Sequence, residues 1–247
     1  MIGTSSLRRS AQLARNYPDL IVECIRGNLN TRLRKLDQDE KYSGIILAVA
    51  GVKRMNWENR ITQLLKPEEF LYAVGQGALA VECRSGDDIV LEILQSLNHS
   101  QTILKIVAER SFLKTLGGGC SAPVAVCTNL SDGNLTMTGA VWSLNGVENL
   151  MKKREVELKS EDAEPPKKCP YREPKTHVGI TARNVDRSDL AKAAELGSEL
   201  AVDLIKLGAL DIINEAKKTN EKPEEIRKQI QSISNSSNNH SNNVEVR

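Results

Sequence analysis

Two kinds of residue in this sequence could do chemistry: a cysteine behind a glycine run, and arginines set beside helix starts. The run Leu116-Gly117-Gly118-Gly119-Cys120-Ser121-Ala122-Pro123 breaks abruptly on the thiol. Glycine lacks a Cβ, so three in succession let backbone and ligand come close. A thiol on such a loop is reachable, which points to Cys120 as an anchoring or reacting group. The plainer reading is a helix C-cap at Gly117 followed by a small apolar residue. A helix C-terminus does not lower a thiol pKa, so a thiolate there needs neighbouring cations.

Gly3-Thr4-Ser5-Ser6-Leu7-Arg8-Arg9 places small hydroxyl residues at a helix start, with two arginines in its first turn. Free backbone N–H groups and the helix dipole favour an anion there. Arginine is a poor dipole partner at a helix N-terminus, so a bound anion gives its placement a reason; the alternative is an ordinary N-cap with solvated arginines. Ile25-Arg26-Gly27-Asn28-Leu29-Asn30-Thr31-Arg32 repeats the design at a second strand end, and Ala50-Gly51-Val52-Lys53-Arg54 offers a third cation site. Arg54 could join such a pocket, whereas Lys53 reads as a solvated face. Val74-Gly75-Gln76-Gly77-Ala78 allows backbone approach to a ligand, or is simply a hinge or bulge.

Elements that must position these residues are legible around them. Thr4 to Asn16 reads as a helix, Leu20 to Ile25 as a strand, and Asn30 to Asp39 as a helix with Leu29, Leu33 and Leu36 on one face. The apolar run Gly44 to Ala50 predicts a strand buried on both faces, followed by a short helix near Val52 to Trp57. Alternating strands and helices imply a parallel or mixed α/β sheet, whose ligands sit at strand ends beside helix N-termini. Residues 72–83 read as a glycine turn feeding a strand. Thr102 to Leu116 is an amphipathic helix that Gly117 stops. Val124–Thr128 and Leu135–Leu144 read as strands, with hairpin turns at Asp132-Gly133 and Asn145-Gly146. Residues 152–176 read as a mobile, charged, Pro-containing insertion, Ser188 to Lys217 as one or two helices, and the Ser/Asn-rich tail 234–247 as disordered.

Composition narrows the function classes. The 247 residues are 40% hydrophobic but only 3% aromatic, so aliphatic packing must carry the core. The net charge of +2 hides an uneven distribution: residues 1–60 hold eight Arg and three Lys against six acidic residues. A nucleic-acid surface wants broad basic coverage and stacking aromatics, and both are missing. Five scattered cysteines without a CxxC pair, and three isolated histidines, give no metal signature and read as a reducing compartment. No stretch is long and apolar enough to span a membrane.

Four segments occur in order: Gly3-Thr4-Ser5-Ser6-Leu7-Arg8-Arg9, Ile25-Arg26-Gly27-Asn28-Leu29-Asn30-Thr31-Arg32-Leu33, Val74-Gly75-Gln76-Gly77-Ala78-Leu79 and Gly118-Gly119-Cys120-Ser121-Ala122-Pro123-Val124. With them the chain resembles the porphobilinogen deaminase (hydroxymethylbilane synthase) family, closely over residues 2–150 and weakly from Val178 to about Asn214. The resemblance implies a mixed-sheet, periplasmic-binding-protein-like α/β domain, incomplete here, plus a C-terminal α+β domain with a small antiparallel sheet. It implies a transferase of haem and tetrapyrrole synthesis that condenses four porphobilinogen molecules into linear hydroxymethylbilane with release of ammonia. A dipyrromethane cofactor would be tethered by a thioether to Cys120. Arg8, Arg9, Arg26, Arg32 and Arg54 would hold its carboxylates, Ser5 and Ser6 would hydrogen-bond it, and Gln76, Gly77 and Gly119 would lie near it.

The same resemblance makes residues 1–71 most of a second domain, 72–95 a segment returning to a mostly missing first domain with an exposed apolar face, and 96–233 the cofactor-attachment domain. The family's catalytic aspartate lies in a His-Ser-x-Lys-Asp segment that this sequence does not contain. The expectation is therefore an N-terminally truncated, inactive fragment with no catalytic residue of its own. Its partners would be porphobilinogen and the growing oligopyrrole, without metal, nucleic acid or membrane. It would be a monomer of the cytoplasm, or of an organelle if a targeting peptide lies upstream. The competing expectation is a non-catalytic module that kept only the anion pocket.

Overall fold

The computed structural model describes residues 1–84, 86–117, 119, 122–158, 176–182 and 185–221. The N-terminal part repeats a strand–helix unit three times. β1 (Ile2–Gly3) leads into α1 (Leu7–Asn16), β2 (Val22–Glu23) into α2 (Leu29–Gln38), and β3 (Gly44–Ile45) into α3 (Val49–Arg54). All pairings are parallel in the order β2-β1-β3, with Ile2 opposite Val22 on one side and Gly44 on the other. The chain moves from β1 to β2 and then back past β1 to β3. Strand order therefore reverses at β1, the position where sheets of this kind open a crevice at the strand C-termini.

The helices fall close to their predicted places. The strands are shorter than predicted: Leu20–Ile25 pairs as a strand only at Val22–Glu23, and Gly44–Ala50 only at Gly44–Ile45. A ladder lasts only as long as its neighbour, and the central strand contributes just two residues. From Val49 the apolar run turns into α3 instead of continuing extended. Gly3 is required at the centre, because a Cβ there would stand 2.9 Å from Ile45 and 3.1 Å from Ile25 side-chain carbons.

The C-terminal part is an antiparallel sheet backed by helices. α4 (Asp88–Leu94) and α5 (Ser100–Leu116) precede β4 (Val124–Ser131), β5 (Asn134–Trp142) and β6 (Asn149–Glu157), which pair in that order. A small hairpin, β7 (Thr176–His177) with β8 (Ile180–Thr181), leads to α6 (Arg187–Lys206) and α7 (Ala209–Glu221). Asp132 and Gly133 both have positive φ, 50° and 73°, the two-residue turn expected there. Gly117 caps α5 in the left-handed region at φ 63°. The core is almost wholly aliphatic: Val107, Leu116, Leu135, Met137, Leu190, Leu200, Leu204 and Ile213 surround Phe112. α6 crosses α5 at Gly197, where a Cβ would collide with the Ala108 carbonyl.

Two expectations need correction. Residues 152–157 belong to β6, paired with β5 from Asn149 opposite Trp142 to Glu157 opposite Asn134. A charged strand is tolerated because one face of an antiparallel edge strand meets water; Leu158 is buried and Thr176 opens β7, whereas 159–175 and the tail from 234 lie outside the described residues. Residues 78–83 form no strand: only Tyr72 bridges to Val126, and Leu79 and Val81 are exposed. A strand needs a neighbour to satisfy its backbone, and none of the described strands lies alongside. Ile89, Ile93 and Leu97, on α4 and its C-terminal turn, are exposed as well. Among the described residues no helix is long and apolar enough to cross a membrane.

The two parts meet through a second apolar cluster. The face of β4 and β5 opposite the helices presents Ala125, Ala140 and Trp142, which close on Ala11 of α1 and on Leu71. The turn after β5 seats on α1 as well, and Arg15 donates to the Val147 carbonyl at 3.3 Å.

Candidate functional site: an arginine cluster at the strand ends

Three helices begin at the C-terminal ends of the three parallel strands, so their unsatisfied N–H groups face one region. Ser6 is the N-cap of α1 in extended geometry, and its hydroxyl makes no capping bond. Its own amide donates instead to Thr4 Oγ1 at 3.2 Å. Ser5 and Ser6 are half-buried at this helix start. The N-terminus of α2 is closed locally, because Asn28 accepts from the Thr31 amide at 2.9 Å and the Thr31 hydroxyl at 2.8 Å. The α1 N-terminus is therefore the better oriented of the two toward a ligand.

Arg8 and Arg9 leave the first turn of α1 in different directions. Arg8 is only 7% exposed, and its Nη1 donates to the Leu71 carbonyl at 2.8 Å. Its Nη2 reaches Gln76 Oε1 at 3.4 Å. Both partners are neutral. Burial first, and then the neighbouring Arg9 charge, push the Arg8 pKa down to about 10. Arg9 spans toward β3, donating to the Ile46 carbonyl at 2.7 Å. Burial and then the Arg32 charge lower its pKa as well. Arg32 folds back onto the Gly27 carbonyl at 2.7 Å. Gly27, at φ 121°, stands so close to Thr31 that a side chain would not fit.

Arg8, Arg9 and Arg32 thus form a mutually repelling set without a carboxylate among their described hydrogen bonds. Like charges held together at a helix N-terminus fit a ligand carrying several carboxylates, which would relieve both burial and repulsion. Arg26 is exposed at the end of the β2 segment, and its carbonyl receives Lys35 Nζ at 3.3 Å. Arg54 sits exposed in the last turn of α3, and no described hydrogen bond joins it to the cluster. Gln76 and Gly77 are exposed on the strap that follows Leu71, and Gly77 adopts φ 90° with open space around it. Gly119 is exposed and its carbonyl accepts from Ala122 at 3.0 Å. Cys120 lies outside the described residues. The described cysteines Cys24, Cys83 and Cys127 are free, and no group of metal-ligating side chains occurs among the described residues.

Three side chains that sequence reasoning missed hold the strap against both parts. Gln12, buried on α1, donates to the Leu71 carbonyl at 3.0 Å and accepts from its amide at 2.8 Å. Tyr72 donates to Glu109 Oε1 at 3.1 Å and receives the Thr128 amide at 2.8 Å. Glu109, buried on α5, also accepts from the Gly75 amide at 2.7 Å. Burial raises the Glu109 pKa against these favourable bonds, and raises that of Tyr72, with Glu109 contributing second. The available signal was a polar residue in the middle of an apolar helix face: Gln12 between Ala11 and Leu13, and Glu109 beside Ala108.

Residues 1–92 match the family model described as porphobilinogen deaminase, dipyromethane cofactor binding domain, and residues 103–170 match the porphobilinogen deaminase C-terminal domain. The porphobilinogen deaminase of Synechococcus elongatus is 53% identical over 146 residues, covering 59% of this chain and 45% of that protein. That of Prochlorococcus marinus strain NATL1A is 40% identical over 215 residues, covering 87% of this chain and 58% of the relative. That of Syntrophobacter fumaroxidans is 47% identical over 147 residues, covering 60% and 47%. The chain spans about half the length of the curated relatives it matches. With its two parts matched in sequence order by the two domain models, and its arginines gathered at the strand ends, the chain belongs to the porphobilinogen deaminase family.

Proposed function

We propose that this chain is the cofactor-holding portion of a hydroxymethylbilane synthase, the transferase that joins four porphobilinogen molecules head to tail and releases ammonia. One observation carries the reading furthest: a nearly buried Arg8 guanidinium with only neutral hydrogen-bond partners, beside Arg9, whose pKa burial and the neighbouring Arg32 charge lower in turn. Burial and like-charge repulsion make such a cluster favour a bound anion. A dipyrromethane bearing acetate and propionate groups supplies several, and when bound it provides the pyrrole terminus at which the chain grows.

In this reading Cys120 Sγ forms the thioether. Arg8, Arg9 and Arg32 bind carboxylates from the strand-end side, with Arg26 and Arg54 completing the set from the rim. Ser5 and Ser6 donate hydrogen bonds at the α1 N-terminus, and Gln76, Gly77 and Gly119 line the approach. Residues 1–71 form the second domain, 72–95 return toward the first, and 96–233 form the attachment domain. The carboxylate that stabilises the cation formed on loss of ammonia belongs to a His-Ser-x-Lys-Asp segment missing from this sequence. The 247-residue chain by itself therefore binds without turning over.

Mass spectrometry of the purified chain after incubation with preformed hydroxymethylbilane tests the attachment. A four-pyrrole mass, hydroxymethylbilane joined to the Cys120 thiol with loss of water, is expected on the tryptic peptide containing Cys120 and abolished by Cys120→Ser. Modification that persists in Cys120→Ser would overturn the assignment. Steady porphobilinogen consumption by the isolated chain would overturn the claim of inactivity.

A further inference from the structure

We propose that Gln12 is a positioning residue for the anion-binding guanidinium of Arg8, acting through the backbone of Leu71. The inference rests on the anion-site reading above. Gln12 lies one helical turn beyond Arg8, so both side chains project from the same face of α1. The Gln12 carboxamide pairs with the Leu71 peptide as a neighbouring strand would: Leu71 N donates to Oε1 at 2.8 Å, and Nε2 donates to the Leu71 carbonyl at 3.0 Å. The same Nε2 donates to the Arg8 carbonyl at 3.3 Å. Arg8 Nη1 then takes the second lone pair of the Leu71 carbonyl at 2.8 Å. The Leu71 carbonyl is thereby fixed in direction and saturated. One N–H of Arg8 Nη1 docks on it, Nη2 reaches Gln76 Oε1, and the other guanidinium N–H groups are left for a ligand.

The chemistry of the amide explains why this position is glutamine. It supplies both donor and acceptor, which aliphatic side chains cannot. It also carries no charge, so it orients Arg8 without neutralising it. A glutamate would keep the acceptor for Leu71 N but would place a carboxylate against the guanidinium meant for the ligand. Gln12 is 2% exposed, so no solvent competes for these bonds.

The test titrates the full chain with sulfate as probe, following Arg Nε and Gln side-chain amide resonances by NMR. Wild type is expected to bind, with Gln12 amide and Arg8 Nε signals moving at one midpoint. Gln12→Met, which keeps every arginine, is expected to lose about tenfold in sulfate affinity. Gln12→Glu is expected to lose more than tenfold while its Tm stays at or above the wild-type value, because the new carboxylate satisfies Arg8. Arg8→Met is expected to abolish the Gln12 response.

If Arg8→Met binds sulfate like wild type, the anion site is wrong and the positioning role falls with it. If Arg8→Met loses binding while folded Gln12→Met and Gln12→Glu bind like wild type, only the role of Gln12 is overturned. Should the variants not fold, a Gln12 amide unmoved in wild type at saturating sulfate overturns it equally.

Discussion

Replacing Arg8 by methionine should separate folding from binding. The pKa displacement of Arg8 to about 10 puts the penalty of its buried charge near ~3 kcal/mol, taking ~1.4 kcal/mol for each pKa unit. Methionine removes that penalty and keeps most of the aliphatic stem. Against this, the bond from Arg8 Nη1 to the Leu71 carbonyl at 2.8 Å is lost, a charged-donor bond contributing about 1.5–3 kcal/mol. The carbonyl is not orphaned, because Gln12 still donates to it. The contact to Gln76 is long and partly exposed, so it adds little. The two sides nearly cancel, and Arg8→Met should unfold within about 1 kcal/mol of wild type, a Tm change of no more than ~4 °C.

Binding responds differently. An anion present at about ten times its Kd stabilises the folded wild type by roughly 1.4 kcal/mol, which is ~3–6 °C at this chain length. The variant should show no such rise. Differential scanning fluorimetry with and without sulfate reads both quantities. A variant that loses several kcal/mol in anion-free buffer yet keeps the full anion-dependent rise would show that Arg8 is a structural cation, and the reasoning would be refuted.

Glu109 gives a pH prediction. Burial raises its folded pKa above the unfolded value, so the folded state holds the proton more tightly. That stability is complete below the unfolded carboxylate pKa and is lost as pH rises through the folded one. Wild-type Tm should therefore decline across that window, while Glu109→Gln, which does not titrate and keeps an acceptor for only one of Gly75 and Tyr72, should start lower but decline less; identical profiles would contradict the assignment. Glu109→Ala strands the Gly75 amide while the Tyr72 hydroxyl keeps Thr128, and should cost about 1–3 kcal/mol, measured by urea unfolding. Gly197→Ala drives a methyl group into the Ala108 carbonyl between α5 and α6 and should destabilise by about 3 kcal/mol or more, with a lower urea midpoint. Arg154→Met breaks surface pairs with Glu199 and Asp203 and should barely change the midpoint, with any effect fading at high salt.

The arginine clusters of the candidate site were legible in the sequence. Paired arginines at a helix start, repeated at a second strand end, pointed to a polyanion because that residue type opposes the helix dipole there. Gly117 and Asp132-Gly133 were readable because a positive φ admits few residue types. The strand–helix alternation gave the fold class for the same reason, being written in neighbouring residues, whereas α5, read as amphipathic, is buried on most of its sides, including Leu104, Ala108 and Ser111. Strand lengths were not local facts. β2 and β3 stop where the two-residue β1 stops offering partners, and 78–83 stay unpaired although their composition favours a strand.

The sequence alone determined which charges occur and where most helices begin and stop, since these depend on side-chain type and backbone preference within a few positions. Only the tertiary structure decided that Arg8 is the buried member of the set and Arg54 an exposed one. It also decided that Gln12, Leu71, Tyr72 and Glu109 clamp one strap between the two parts. Burial and hydrogen-bond partnership join residues as far apart as Gln12 and Leu71, and no periodicity along the chain encodes which distant backbone group will arrive at a given side chain.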